Sequence, residues 1–254
     1  MGLRFEELDF RNTPMGELVL RRRWYPGVGR DVYEIKLNDE YLMSSLFTVA
    51  EEELARLALG ELAGKVPAPA GLDVAVAGLG LGCTAQAALA DPAVSSLVVV
   101  DALGEVIEWH RRGLIDAGVA DDPRCRLVQG DFFALVRSGA PLDPAAPERS
   151  YDAILVDVDH SPRHLLHPSH ADFYEPAGLL RLRARLRPGG VFALWSNDPP
   201  EEEFLRSLEQ VFGEVRAEVV AFDNPLQERQ ATNTVYLARN PEGPADTANP
   251  EPRP

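Results

Sequence analysis

The sequence has few cysteines, a deficit of basic residues and no long apolar run. Its two cysteines, Cys83 and Cys125, are spaced neither like metal-binding pairs nor like a disulfide framework. Only 25 basic residues stand against 40 acidic ones, which argues against a nucleic-acid partner because such a partner requires clustered Lys and Arg. No segment is apolar for long enough to form a signal peptide or a membrane span, so we expect a cytoplasmic protein with no membrane partner.

The sequence does contain enough apolar residues for a full core. Hydrophobic residues make up 45% of the 254 positions, which excludes a chain disordered throughout. The length fits one large domain with a small appendage. We predict a small N-terminal β domain with a linking helix over residues 1–66, an α/β domain over 67–240, and a proline-rich disordered tail over 241–254.

Residues 72–101 predict a nucleotide-binding site. The apolar run Val74–Ala77 is typical of a buried parallel strand, and Asp101 ends a second such run. Between the runs lie a short helix and three alternating glycines, which allow a tight turn and close approach to a ligand; they are Gly78, Gly80 and Gly82. An acid about 20 residues after such a turn accepts hydrogen bonds from a ribose. Because Cys83 replaces the last small residue of a dinucleotide turn, the spacing favours an S-adenosyl nucleoside over NAD.

The N-terminal residues predict a small β domain followed by a helix. Three strands are indicated by short apolar and β-branched runs between turn signals, over Gly16–Arg23, Asp31–Leu37 and Glu40–Ser44. Thr48 then caps a helix, with Glu51 completing a capping box. Three short strands make a poor core alone, so we expect this piece to pack on the larger domain or on a second subunit.

Strands and helices alternate after Asp73, which predicts a mostly parallel sheet with helices on both faces. Three successive strands end in acids, at Asp101, Asp131 and Asp157. One such acid alone is explained by capping of the helix behind it. Because ligands of open α/β sheets bind beyond the carboxyl ends of the strands, three acids beside a glycine turn predict one binding crevice.

Histidines cluster after the third of these acids. Four of the five fall within residues 160–170: His160, His164, His167 and His170. With Asp157 and Asp159 nearby, zinc or iron ligation is conceivable. The segment is however predicted as a mobile loop over the site, whereas metal ligands usually come from separate rigid elements. We therefore expect no metal, and we expect His160 to contact the substrate or set its pH dependence.

Several motifs resemble those of the spermidine synthases, the polyamine aminopropyltransferases. They are NTPMGELVLRRR (12–23), DALGEVIEWHRR (101–112), QGDFF (129–133), YDAILVDVDHSP (151–162) and RLRPGGVFALWS (185–196). The resemblance implies a methyltransferase-like Rossmann fold, a seven-stranded, mostly parallel sheet with helices on both faces beside a small N-terminal β domain. It also implies a homodimer that transfers an aminopropyl group from decarboxylated S-adenosylmethionine to a small-molecule amine.

The resemblance also implies roles for individual residues. The implied donor-binding residues are Gly78, Gly80, Leu81, Gly82, Asp101, Ala102, Asp131 and Phe132. Among them Asp101 would hold the ribose, and Asp131 with Phe132 would frame the adenine. The implied acceptor residues are Asp157, Asp159 and His160. An alkyl amine has a pKa near ~10 and arrives protonated, so a carboxylate such as Asp157 or Asp159 is needed to orient it and take its proton.

Three departures from the family pattern keep alternatives open. The family's glycine turn, GGGDGG, carries an aspartate that pairs with the donor's ammonium, and this sequence has Leu81 there. The second acid of the loop, Asp159, comes one place early, and the family's Tyr-His-Glu is replaced by residues 50–52, Ala-Glu-Glu. Unless Asp159, Glu51 or Glu52 replaces the missing aspartate, we expect the protein to discriminate only weakly between S-adenosylmethionine and its decarboxylated form as donor. A small-molecule methyltransferase and a non-catalytic adenosyl-binding protein therefore remain alternatives.

Overall fold

The structure is a computed structural model, and it describes residues 5–38, 40–64, 71–224 and 229–242. The N-terminal part is a four-stranded antiparallel sheet in the order β1-β2-β3-β4. Its strands are β1 (Phe5–Thr13), β2 (Gly16–Tyr25), β3 (Arg30–Leu37) and β4 (Glu40–Ser44). The sequence predicted the last three and missed β1, because β1 is rich in charged residues and none of its side chains is buried.

Helix α1 (Val49–Gly60) connects the two parts of the chain. The predicted capping box is wrong. The Thr48 backbone is not extended, so its hydroxyl caps no helical N–H and instead donates to Oε1 of Glu52 at 2.8 Å. Glu51 is thereby free to point away from the helix end. The predicted boundary between residues 66 and 67 falls in the stretch 65–70, outside the described residues.

The larger sheet has seven strands in the order β10-β11-β9-β8-β5-β6-β7. They are β5 (Leu72–Ala77), β6 (Val94–Asp101), β7 (Cys125–Gln129), β8 (Tyr151–Val156), β9 (Leu186–Ser196), β10 (Glu214–Asn224) and β11 (Arg229–Arg239). The five strands from β5 to β9 pair in parallel, and only the β9–β11 and β11–β10 pairings are antiparallel. The predicted fold class is confirmed.

Helices cover both faces of this sheet. They are α2 (Cys83–Ala90), α3 (Gly104–Arg111), α4 (Phe132–Ser138), α5 (Pro176–Arg183) and α6 (Glu202–Glu209), with a 3₁₀ turn at Pro168–Phe173. Successive residues of β5 enter two different cores: Val74 and Val76 pack with α1, α2 and α3, and Ala75 and Ala77 pack with α4, α5 and α6. Burial on both faces explains why β5 is a continuous apolar run.

The N-terminal sheet packs directly on the larger domain, as expected for strands too few to make their own core. Leu18, Leu20 and Ile35 are fully buried in the core that contains α1, α2 and α3. A polar contact adds to this packing, since Trp109 Nε1 donates to Asp9 Oδ2 at 2.7 Å. The predicted tail lies outside the described residues except for positions 241 and 242. Within the described part of the chain, the helices all lack the length and apolar character that crossing a membrane requires.

Candidate active site

A cavity of about 310 Å³ lies between the N-terminal sheet and the carboxyl ends of the parallel strands. This is the edge at which open α/β sheets bind ligands, and the volume is at the lower end of the range for small-molecule sites. Eight of the predicted site residues line it together: Gly78, Gly80, Asp101, Ala102, Asp131, Phe132, Asp157 and His160. The crevice that three strand-end acids predicted is therefore present.

Three of the predicted site residues lie outside the cavity lining, namely Leu81, Gly82 and Asp159. The Leu81 side chain is 5% exposed and packs in the core below the glycine turn. Alternate residues of the turn face opposite sides, so Gly78 and Gly80 face the cavity while Leu81 faces inward. The expectation that Leu81 occupies the place of a donor-contacting aspartate is therefore not met in the structure.

The glycine turn depends on two of its glycines for its shape. Gly78 has φ +91°, and a side chain there would collide with the carbonyl oxygen of Asp157. Gly80 has φ +47°, and its added Cβ would lie 2.7 Å from Met43 Sδ. The collision with backbone requires glycine at position 78, and the positive φ favours glycine at position 80. His110 holds the turn from below, because its Nε2–H donates to the Gly80 carbonyl at 2.9 Å.

Asp101 and Asp131 each act as a backbone acceptor and also line the cavity. Asp101 Oδ2 accepts from the Leu79 N–H and Oδ1 from the Leu103 N–H, both at 2.8 Å. Desolvation raises the pKa of Asp101, and these backbone N–H groups act in the opposite direction. Asp131 caps α4 by accepting from the Ala134 N–H at 3.0 Å. The capping and the binding-site interpretations of these acids are thus compatible, because each carboxylate has oxygen lone pairs to spare.

Asp157 shares the cavity with a second acid, Glu51 from the first turn of α1. The Thr84 hydroxyl lies 2.8 Å from Asp157 Oδ2 and 3.3 Å from the Glu51 carbonyl oxygen, and so ties α1 to the end of β8. Desolvation raises the pKa of both acids, and the Asp157 charge raises that of Glu51 further. Two neighbouring carboxylates in a low-polarity cavity form a site for a cation.

The sequence predicts that Glu51 is a capping residue, and only secondarily that it replaces the missing aspartate. Of the three substitutes considered for the missing aspartate, Glu51 lines the cavity, while Asp159 and Glu52 do not. The signal in the sequence was its position in the segment that corresponds to the family's Tyr-His-Glu. The S/T-x-x-E pattern obscured that signal, because it fits a capping box equally well.

Asp159 is an anchor for the loop that follows β8. Its side chain is fully buried and accepts hydrogen bonds from the Leu166 N–H at 2.7 Å, from His170 Nδ1 at 2.9 Å and from the Tyr174 hydroxyl at 2.8 Å. Its oxygens are therefore engaged within the protein. His170 in turn stacks on Phe133 with ring centroids 3.9 Å apart. The predicted role of Asp159 as an acceptor-binding acid does not agree with this geometry.

The predicted loop over the site forms one wall of the cavity. Its lining residues are Val158, His160, Leu166, His167, Ser169 and His170. The loop is fastened at the base, where the Asn197 N–H donates to the His160 carbonyl at 2.7 Å and His164 Nδ1 lies 2.8 Å from Asp198 Oδ2. Across the described ranges, no three His, Cys, Asp or Glu side chains are grouped to hold a metal. That the protein uses no metal stays a prediction.

The curated proteins similar to this chain include two archaeal enzymes. The polyamine aminopropyltransferase of Pyrobaculum arsenaticum is 32% identical over 122 residues, covering 47% of this chain and 39% of the relative. That of Pyrobaculum neutrophilum is 30% identical over 161 residues, covering 60% of this chain and 49% of the relative. The matched segments thus span less than half of the length of either relative. No protein-family model matches the chain.

Solved structures show the same fold. A spermidine synthase in complex with the transition state analogue AdoDATO has a TM-score of 0.69 at 18% identity, covering 96% of this chain and 77% of that one. The spermidine synthase of Thermotoga maritima has a TM-score of 0.68, also at 18% identity, covering 96% and 76%. The resemblance to the spermidine synthases is confirmed.

A more distant structural neighbour lies outside the spermidine synthases. Human methyltransferase-like protein 13, in complex with SAH, has a TM-score of 0.51 at 21% identity, covering 80% of this chain and 82% of that one. The predicted methyltransferase-like Rossmann fold is therefore present. The match to the two spermidine synthases covers 96% of this chain, against 80% for the methyltransferase-like protein.

Proposed function

We propose that the protein is a spermidine synthase-like transferase that binds an S-adenosyl sulfonium donor and transfers its aminopropyl group to an amine. The observation that carries this proposal is the pair Glu51 and Asp157 in one cavity with the glycine turn and Asp101. The relatives are named as aminopropyltransferases, and a structural neighbour binds AdoDATO. A cavity that combines adenosyl-binding elements with a cation site fits such a bisubstrate reaction.

The donor would lie along the ends of β5, β6 and β7. Gly78 and Gly80 allow close approach of its sulfonium and ribose, Asp101 accepts from the ribose hydroxyls, and Asp131 with Phe132 flanks the adenine. Glu51 takes the place of the aspartate that the turn lacks, and pairs with the ammonium of the aminopropyl group. The same carboxylate repels the carboxylate of ordinary S-adenosylmethionine, which favours the decarboxylated donor.

Asp157 would act on the acceptor. The amine arrives as an ammonium ion, and the Asp157 carboxylate orients it and takes its proton, which later passes to water. The freed nitrogen lone pair attacks the methylene carbon bonded to sulfur. The carbon–sulfur bond breaks with its electron pair going to sulfur, so neutral methylthioadenosine leaves. Thr84 fixes the carboxylate through its 2.8 Å contact, and alignment of the two substrates supplies on the order of several kcal/mol of the acceleration.

Two substitutions test the acceptor site and the donor site separately: Asp157→Asn for the acceptor and Asp101→Asn for the donor. Methylthioadenosine release measures turnover, and calorimetric titration with methylthioadenosine measures adenosyl binding. We expect Asp157→Asn to lower turnover by about 10²–10⁴-fold with adenosyl affinity nearly intact, since it removes a proton acceptor. We expect Asp101→Asn to weaken adenosyl binding by about 1.5–3 kcal/mol, the strength of a hydrogen bond to a charged group.

Glu53→Gln is the matched control, because Glu53 lies on α1 and pairs with Arg56 outside the cavity. Full activity of Asp157→Asn would contradict the proposed role of this acid. Donor binding without methylthioadenosine release from any amine would favour the non-catalytic alternative.

A methyltransferase is the second candidate, favoured by a glycine turn that contains no aspartate and by the fold of human methyltransferase-like protein 13. The two reactions leave different nucleosides. Methyl transfer from S-adenosylmethionine leaves S-adenosylhomocysteine, whereas aminopropyl transfer leaves methylthioadenosine. Incubation with each donor and an amine mixture, followed by chromatography of the nucleosides, decides between them.

A further inference from the structure

Among the residues that the structure describes, those of the N-terminal sheet that line the cavity are all apolar. They are Met15, Ile35, Leu37, Leu42 and Met43. On β3 the cavity-facing Ile35 and Leu37 alternate with Glu34, which lies on the opposite face. There Glu34 is 2% exposed and pairs with Arg21 at 2.6 Å and Arg23 at 2.8 Å. The buried acid of this sheet is therefore neutralised away from the cavity.

Within the described ranges four acids line the cavity, and each has a role under the proposed function. They are Glu51, Asp101, Asp131 and Asp157. Asp101 accepts two backbone N–H groups and Asp131 caps α4, and both belong to the adenosine end of the proposed donor site. Under the proposed function, Glu51 pairs with the donor ammonium and Asp157 with the reacting nitrogen. Among the described lining residues no carboxylate then remains for a further cation.

If the acceptor extends from Asp157 towards the N-terminal sheet, a second ammonium at its far end would lie against methionine, leucine and isoleucine side chains. Removing an ammonium ion from water without a counterion is strongly unfavourable, whereas burying an apolar chain there is favourable. Trp195 lines the same cavity and adds aromatic surface. The wall formed by the N-terminal sheet thus selects against a second charge and for an apolar body.

We propose that the acceptor is a monoamine, with one cationic nitrogen on an alkyl or arylalkyl body, and not a diamine. This inference rests on the proposed function and specifies the acceptor class of the same site. The nitrogen lies at Asp157, and the apolar body packs against the residues of the N-terminal sheet. Chain length and ring content of the amine then set affinity, because both add apolar area.

The test compares amines that differ only in the second nitrogen. The native protein is given saturating decarboxylated S-adenosylmethionine at pH 8, and methylthioadenosine release is measured with butylamine against 1,4-diaminobutane, and with hexylamine against 1,6-diaminohexane. We expect kcat/KM to be at least tenfold higher for each monoamine. An equal or higher value for the diamines overturns the inference and leaves the proposed function intact. No release with any of the four amines or with phenethylamine overturns both.

A pair of variants tests the wall itself. Leu42→Glu places a carboxylate among the apolar lining residues. Leu42→Gln is its control, because glutamine is polar and nearly the same size as glutamate but carries no charge. We expect Leu42→Glu to raise the diamine-to-monoamine ratio of kcat/KM by about tenfold or more over Leu42→Gln. An unchanged ratio in a folded Leu42→Glu contradicts the assignment of the acceptor body to this wall. If Leu42→Glu does not fold, the comparison of amines on the native protein decides.

Discussion

Glu51→Gln removes one of two carboxyls that share a low-polarity cavity, so it should change how stability depends on pH. Desolvation and the Asp157 charge raise the pKa of Glu51 above its ordinary value of 4.5. A carboxyl whose pKa is higher in the folded protein than in the unfolded chain binds its proton more tightly when folded. Its contribution is therefore fully favourable below pH 4.5 and is lost as the pH rises from there to the folded pKa.

The size of this loss follows from the difference between the two pKa values. Each unit of difference corresponds to about 1.4 kcal/mol of unfolding free energy once the pH exceeds both values. A glutamine cannot ionise and avoids the loss. The pKa of Glu51 is raised to about 8, so stability is lost across most of the range from pH 5 to pH 8. Taking the loss over one pH unit of that range as the lower limit, we expect Glu51→Gln to gain at least about 1.4 kcal/mol on the native protein between pH 5 and pH 8. For a chain of this size that gain corresponds to roughly 3–6 °C in Tm.

Urea unfolding at pH 5, 6.5 and 8, followed by circular dichroism, measures this difference. Glu53→Gln is the control, because Glu53 pairs with Arg56 outside the cavity and should keep a nearly constant offset from the native protein. A decarboxylated donor that pairs with Glu51 should also stabilise the native protein more at pH 8 than at pH 5. A difference between Glu51→Gln and the native protein that does not grow with pH would contradict a raised pKa of Glu51.

Two further predictions concern residues that point away from the cavity. Asp159→Asn weakens the acceptor for the Leu166 N–H and the Tyr174 hydroxyl, so we expect a loss of about 2 kcal/mol and faster tryptic cleavage at Arg163; unchanged cleavage would contradict the anchoring role. Leu81→Asp places a carboxylate in the core, so we expect destabilisation by about 2–5 kcal/mol in urea unfolding and no gain in affinity for the decarboxylated donor. Tighter donor binding by a folded Leu81→Asp would show that residue 81 reaches the ligand.

The sheet and the edge that carries the site could be predicted because both depend on local composition. Continuous apolar runs such as Val74–Ala77 indicate strands buried on both faces, and a strand-end acid such as Asp101 marks the edge where ligands bind. Strand β1 is not evident in the sequence because its residues alternate weakly and none of its side chains is buried. The other strands could be predicted because their burial is reflected in apolar runs of the sequence, in addition to their strand propensity.

Side-chain direction within turns and loops could not be predicted from the sequence. Whether Leu81 or Gly80 faces the ligand depends on positive φ angles in the turn, which spacing alone does not reveal. Asp159 turns inward because His170 and Tyr174, more than ten positions later, provide its donors. Glu51 faces the cavity because the Thr48 backbone is not in a capping conformation. Each outcome depends on a partner distant in sequence or on a backbone angle.

The contact between Gly78 and Asp157 has a consequence for how this protein can be redesigned. The Asp157 N–H donates to the Ala77 carbonyl and the Gly78 N–H to the Val100 carbonyl, both at 2.9 Å, so the turn and the acid are joined through the backbone of three strands. Gly78 also has no room for a side chain against the Asp157 carbonyl oxygen, so the glycine turn and Asp157 are held in a fixed relative position. Between the described residues, the N-terminal sheet contacts the turn through side chains, as where the Leu81 N–H lies 3.1 Å from Met43 Sδ. Substitution of lining residues of that sheet such as Leu37 and Leu42, with the core residues Leu18 and Leu20 retained, is therefore the route by which new acceptors can be introduced while the reacting centre stays unchanged.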